Sequence, residues 1–233
     1  TPASVLNLKL TCRNMMQVVQ RYLRSAFNIN RALAHFFDDV HGFRQLQHRS
    51  GLLISGSFAL QFMGRLHYAE SDLDLFLPMH CRLEVALWLQ ANGYSFCATE
   101  HQAVDLETVL HAADVEPHLA NVPYSLPGIF AVLTFRKPTG GLARPMTVQL
   151  IIAWRTPMEI VLGFHSTCVL NVITYTTAYA MYPRATFEDM RNLVLLDTEA
   201  QQSALVKYAS RGWATVRELH FPEFALDLPI RSM

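Results

Sequence analysis

Apolar residues recur at helical spacing through the first fifty positions. Val5, Leu8, Met15, Met16, Val19, Tyr22 and Leu23 form one stripe, and Leu33, Phe36, Phe37, Val40 and Phe43 form another. Two amphipathic helices fit this pattern, with a break near Asn28-Ile29-Asn30. Gly51 to Ser55 is too short for a helix and too apolar for an exposed loop, which predicts a buried strand ending in the turn Gly56-Ser57. Phe58 to Gly64 returns to helical spacing. Leu73 to Leu77 predicts a second strand, stopped by Pro78. Arg82 to Asn92 predicts an amphipathic helix closed by Asn92-Gly93.

Residues 95–128 are mixed and polar, with Asp105, Glu107, Asp114, Glu116, Pro123 and Pro127, and give no clear period. Ile129 to Arg136 and Met146 to Ala153 predict strands joined as a hairpin through a connection rich in Pro and Gly. From Pro157 onward the spacing predicts helices over 157–165, 167–181, 186–195 and 198–210, with Gly212 as a stop. The expected fold class is α+β: a small mixed sheet flanked by helices, with a helical C-terminal part. The expected division is N-terminal helices over 1–50, an α+β core over 51–155 and a helical lobe over 156–233.

A chain of 233 residues, 51% hydrophobic, can bury a sizeable core as one domain or two small lobes. Lys plus Arg equals Asp plus Glu at 19 each, so no global field favours a polyanion, and any such partner must meet a local patch. Apolar runs such as Met146 to Trp154 fall short of the roughly 18 residues that span a membrane, so no membrane partner is expected. The N-terminal TPASVLNLKL lacks a basic leader before a long apolar segment, and the expected location is cytoplasmic. Cys12, Cys81, Cys97 and Cys168 are scattered without a C-x-x-C pair, which predicts buried free thiols, no disulfides and no zinc site. The ten histidines form neither H-E-x-x-H nor H-x-H.

Against this background the segment Glu70-Ser-Asp-Leu-Asp-Leu-Phe-Leu77 stands out, because it sets two acids into an apolar strand. Alternation puts Asp72 and Asp74 on one face while Leu73 and Leu75 enter the core. Two bare carboxylates side by side repel, and a divalent cation such as Mg²⁺ or Mn²⁺ with bound phosphates removes the conflict. Gly56-Ser57 lies where a strand meets a helix, and a small-residue turn there lets backbone N–H groups and a hydroxyl approach phosphate oxygens. Ser57 and Asp72 stand 15 residues apart, room for a short helix and a return. Cation and phosphate cradle together point to phosphoryl or nucleotidyl transfer. Competing motifs fail: Gly56-Ser57 lacks the G-x-S-x-G elbow of a Ser-His-Asp hydrolase, and neither a P-loop nor G-x-G-x-x-G occurs.

The Gly-Ser turn, the short helix and the Asp72-Leu73-Asp74 strand resemble the signature of the DNA polymerase beta-like nucleotidyltransferase superfamily. Phe164-His-Ser-Thr-Cys-Val-Leu-Asn171 and Lys207-Tyr-Ala-Ser-Arg-Gly212 are similar to the helical portion of uncharacterised fungal-type members, and the resemblance covers roughly residues 45–212. It implies a nucleotidyltransferase-like core and a third carboxylate on a strand beside the first. In this chain that position falls on Gln149. A glutamine can coordinate through its amide oxygen or hold a water, but it cannot act as a base. The options are a one-metal enzyme, an acid recruited from Glu70, Asp105, Glu107, Asp114 or Glu116, or a module that binds nucleotide without turnover.

The resemblance and their charge make Lys207 and Arg211 candidates for contact with the triphosphate, four residues apart near a helix C-terminus where cations also complement the helix dipole. His165, Ser166 and Thr167 read as substrate-facing or, for Ser166, more simply as an N-cap. The expected activity is metal-dependent transfer of a nucleotidyl group from a nucleoside triphosphate to a hydroxyl, with release of pyrophosphate. Asp72 and Asp74 bind the metal, and Gly56, Ser57, Lys207 and Arg211 bind the nucleotide. The acceptor stays open among a protein, a small molecule and an RNA end. The alternative is an inactive nucleotide-binding or regulatory module.

Overall fold

Short polar side chains cut the N-terminal region into four helices rather than the two expected: α1 (Pro2–Lys9), α2 (Arg13–Ala26), α3 (Ile29–Leu33) and α4 (Val40–Ser50). The Asn28 side chain accepts the Arg31 N–H at 3.0 Å and Asp39 accepts the Gly42 N–H at 2.8 Å, so each begins a new helix by capping it. Gly51, at a φ of 66°, ends α4 in the left-handed conformation that favours glycine. This computed structural model describes residues 2–68, 71–100, 102–115, 128–139 and 144–219. Glu70, Glu116, Pro123, Pro127 and the tip of the expected hairpin at 140–143 lie outside the described residues.

The chain continues through β1 (Leu53–Ser55), α5 (Gly56–Gly64), β2 (Leu73–Pro78), α6 (Arg82–Ala91), β3 (Ser95–Cys97) and α7 (Leu106–Val115). It then forms β4 (Ile129–Lys137), β5 (Met146–Ala153), α8 (Pro157–Leu162), β6 (Asn171–Ile173), β7 (Ala178–Ala180), α9 (Pro183–Phe187), β8 (Arg191–Leu193), α10 (Gln202–Ser210) and β9 (Ala214–Val216). Seven strands make one mixed sheet in the order β3-β4-β5-β2-β1-β6-β7. Its neighbours are antiparallel except β2 and β5, which run parallel. The fold is thus α+β, a mixed sheet flanked by helices. Strands β8 and β9 pair separately and in parallel.

Alternation along the central strands divides the core into two layers. Leu73, Leu75 and Leu77 of β2 and Val148, Leu150 and Ile152 of β5 bury one face against Phe36, Phe37, Phe43 and Leu46 from the N-terminal segment and Val85, Ala86 and Leu89 of α6. Truncating any of these central leucines to alanine would cost about 2–5 kcal/mol. Phe76, Ile151 and Ala153 point to the opposite face, where Ile160 and Val161 of α8 cover part of it. Asp74 and Gln149 share that second face. Part of the sheet there is left open, and the polar residues sit in that opening.

The C-terminal region departs from the helical expectation. Residues 167–181 form one short 3-10 turn (Thr167–Val169) followed by the hairpin β6–β7, and 186–195 contains only the end of α9 before β8. The physical reason is local: the segment Val172-Ile-Thr-Tyr-Thr-Thr177 is β-branched or aromatic throughout. Its Thr174–Thr177 turn closes with the Thr174 N–H donating to the Thr177 carbonyl at 2.9 Å. Hydrogen bonding to β1 through the Ile54–Ile173 pair then makes β6 part of the main sheet, so the sheet continues past residue 155. The 198–210 expectation survives as a 3-10 turn followed by α10, and Gly212 adopts a φ of 102° just beyond it. Trp213 is fully buried there and donates its indole N–H to the Thr186 carbonyl at 2.9 Å.

Candidate functional site: a cleft on the open sheet face

Strand β1 delivers the chain directly into α5, and Gly56 is the first residue of that helix, at a φ of 65°. The preceding Ser55 does not cap the helix: its hydroxyl donates instead to the Asn171 carbonyl at 2.6 Å. Among the described residues no side chain accepts from the first N–H groups of α5, and an uncapped helix start attracts anions. Ser55 is paired in register with Asp74 on β2, which brings the Asp74 carboxylate against the start of α5. A methyl group on Gly56 would collide with Asp74 Oδ2 and stand 3.2 Å from Cγ. Glycine is needed here both for the positive φ and for the close approach of the acid.

Gly56, Ser57, Asp74, Gln149 and Lys207 line one cleft of about 400 Å³. Burial, reinforced by the neighbouring charge of Asp72 and opposed by Lys207, pushes the Asp74 carboxyl up to about 7. Asp72 precedes β2 and does not line the cleft, but its charge reaches Asp74. Lys207 is held below its usual range by desolvation and by Arg211, against the pull of Asp74 and Asp72. Two acids and one lysine thus form one electrostatic unit. Gln149 is the register partner of Asp74 across the parallel β2–β5 pair, so the amide occupies the place beside the acid.

A hydrogen-bonded chain behind this unit was not legible in the sequence. Ser57 Oγ and Ser71 Oγ are 2.9 Å apart, and Gln61 Nε2 donates to Ser71 Oγ at 2.6 Å and to the Ser57 carbonyl at 3.1 Å. The Gln61 Oε1 accepts the Tyr68 N–H at 2.7 Å. Gln61 therefore ties the first turn of α5 to the segment that leads into Asp72. The only signal available was the four-residue spacing of Ser57 and Gln61 on one helix face. The Ser57 hydroxyl is engaged with Ser71, and the backbone N–H groups at the start of α5 are available to an anion.

The opposite wall comes from residues 164–169 and α10. His165 and Tyr208 line the cleft with rings stacked at 6.4 Å between centroids, and burial lowers the His165 pKa. Ser166 is fully buried and caps nothing with its hydroxyl, which contradicts the N-cap reading. Arg211 stands behind the wall: its guanidinium lies 3.9 Å from the Tyr68 ring centroid, and its buried Nη1 has no partner among the described residues. The expected Lys207–Arg211 pair thus separates, Lys207 on the cleft and Arg211 packed on an aromatic ring. At its far end the cleft is apolar, lined by Phe76, Ile129, Val132, Ile151, Ile160 and Phe164.

No recruited third acid lines the cleft among the described residues. Asp105 instead caps α7, accepting the Thr108 N–H at 2.8 Å, and Glu107 pairs loosely with His111 on the surface. Among the described residues no three His, Cys, Asp or Glu side chains gather closely enough to hold a metal ion on their own. Cys81 and Cys168 are buried thiols, whereas Cys12 is exposed and Cys97 partly so. No described helix is long and apolar enough to cross a membrane. No protein-family model matches the chain and no curated protein matches it, so what the site can do follows from its geometry.

Proposed function

We propose that the chain is a nucleotidyltransferase-like protein that binds a nucleoside triphosphate in this cleft with Mg²⁺ or Mn²⁺ and transfers the nucleotidyl group to a hydroxyl. One observation carries the proposal: an uncapped helix start, Gly56-Ser57, lies directly against a buried carboxylate on a cleft that also holds a lysine. The backbone N–H groups of Gly56 and Ser57 receive the β- and γ-phosphates, and Lys207 adds a cationic contact. Asp72 and Asp74 fit a divalent cation, because their mutual repulsion and the burial of Asp74 leave a charge that Lys207 offsets only in part. Held by Asp72 and Asp74, such a cation would supply positive charge against the negative charge that develops as a hydroxyl attacks the α-phosphorus and pyrophosphate leaves. The apolar end of the cleft suits a small ring or apolar group, and the cleft volume is that of a small-molecule site. The acceptor is a protein hydroxyl, a small molecule or an RNA end.

A second reading is favoured by Gln149. With an amide in register beside Asp74, the site lacks a proton acceptor at that place, and the chain then binds nucleotide without turnover. Thermal melts with Mg²⁺ and each nucleoside triphosphate, on wild type and Asp74→Ala, test the shared part: a metal-dependent rise in Tm, lost in the variant, is expected. No shift with any nucleotide, with Mn²⁺ as well as Mg²⁺, refutes both readings. Pyrophosphate release then separates enzyme from module.

A further inference from the structure

The first 37 residues hold five of the 19 Lys and Arg (Lys9, Arg13, Arg21, Arg24 and Arg31) and none of the 19 Asp and Glu, so the rest of the chain is net negative by five. Overall neutrality conceals a strongly polarised molecule. Helix α2 also separates its residues cleanly: Arg13, Gln17, Arg21 and Arg24 share one side, and Met15, Val18, Val19 and Tyr22 the other. Yet the fold uses little of that apolar side, since Val19 is the one fully buried residue of α2 and α1 has none. Leu6, Leu8, Met15, Val18, Tyr22 and Phe27 stay exposed, and Leu10, in the turn between the helices, is 82% exposed.

Several contacts among the described residues hold the two helices to the body. The Ala3 N–H donates to Glu188 Oε1 at 3.1 Å, Phe27 meets Phe62 edge-on at 5.9 Å, and the Arg65 guanidinium lies 4.8 Å over the Tyr22 ring. Arg65 thereby adds another cation beside the exposed apolar stripe. A helix with segregated faces, arginines on its polar side and exposed apolar residues at its flank is the kind that lies in a membrane interface. The apolar residues are spread over both helices and their turn, broader than the single stripe that a protein groove accepts. A second copy of this chain would set cations against cations, which disfavours self-association through this face.

We propose that α1 and α2 dock the protein peripherally on an anionic lipid surface, with Leu6, Leu10, Met15, Val18 and Tyr22 entering the interface and the arginines meeting lipid phosphates. The docking is reversible and salt-sensitive, because the attraction of basic residues to an anionic surface is electrostatic and screened by salt. It is independent of the nucleotide cleft.

Flotation of the full chain with phosphatidylcholine vesicles, with and without phosphatidylserine, tests the proposal. Binding is expected only with phosphatidylserine and is expected to fall at high salt. The triple change Arg13→Gln, Arg21→Gln, Arg24→Gln, all exposed positions, should weaken binding at least about tenfold at unchanged Tm. Val18→Asp should weaken it by a similar factor, with circular dichroism verifying the fold. The proposal is overturned by failure of the folded chain to bind phosphatidylserine vesicles, by equal binding to neutral ones, or by binding that the triple change leaves intact. Dimerisation through this face, or binding of duplex RNA that the same changes abolish while vesicles stay unbound, also overturns it.

Discussion

Asp74 and Gln149 stand side by side in register on two parallel strands, an acid and an amide at the floor of the same cleft. Replacing the amide by an acid sets two carboxylates against each other. Gln149→Asp should lower stability by about 1 kcal/mol without metal, through like-charge repulsion across the strands. Added Mg²⁺ or Mn²⁺ should more than recover that loss, giving a larger metal-dependent rise in Tm than in wild type. Melts in EDTA and in excess metal check both signs. Pyrophosphate release that appears only in this variant would identify the natural chain as a non-catalytic binder.

Gly56 admits the Asp74 carboxylate only because it lacks a side chain. Gly56→Ala introduces both a collision and an L-residue at a φ of 65°, and should cost about 1–3 kcal/mol in urea denaturation. Combining it with Asp74→Ala removes the collision but not the backbone strain. The double variant should therefore lose at least about 0.5 kcal/mol less than the sum of the single changes. Strict additivity would mean that the two residues do not meet.

The raised Asp74 carboxyl predicts a direction for stability against pH. Its folded pKa, about 7, lies above the ordinary carboxyl value of 3.8. Between those values the folded state binds more protons than the unfolded state, so without metal this group makes stability fall as pH rises from about 4 to about 7, with no further change above. Asp74→Asn should flatten that slope over the same window. Metal-dependent stabilisation should run the other way and grow as pH rises through 7, because a proton and a cation compete for the same carboxylate.

Lys207 and Arg211 should separate experimentally as they do in space. Lys207→Met should change stability by no more than about 0.5 kcal/mol, since desolvation of its ammonium opposes its attraction to Asp74 and Asp72, while weakening the nucleotide-dependent melt shift. Arg211→Met should retain the shift and lower stability by about 1 kcal/mol through loss of its stacking on Tyr68.

The sequence carried the centre of the fold because its signals there are short-range. Strands formed within Gly51 to Ser55, as β1 over Leu53–Ser55, and over Leu73 to Leu77 and Met146 to Ala153, and Asp74, Gly56, Ser57 and Gln149 met on one cleft. The C-terminal strands were hidden for a different reason. A short apolar run satisfies helical spacing as readily as a buried strand, and β6 forms because the edge of β1, over a hundred residues earlier, needs a partner. Gln61 was missed likewise, since a buried glutamine is recognised only by what it ties together.

The position of β1 between β2 and β6 also has a consequence for how the protein is made. The strand that launches α5 is completed on one side by residues 73–78 and on the other by 171–173, so one of its edges stays unpaired until the ribosome has extruded residues 171–173. Contacts of such sequence separation close slowly. The cleft also awaits α10 for its lysine wall, so a nascent chain carries both aspartates long before it has a finished site to hold a nucleotide. Birth of the binding site is thereby tied to the emergence of α10, and a chain stalled before residue 171 offers a bare strand edge where the folded molecule has a sheet.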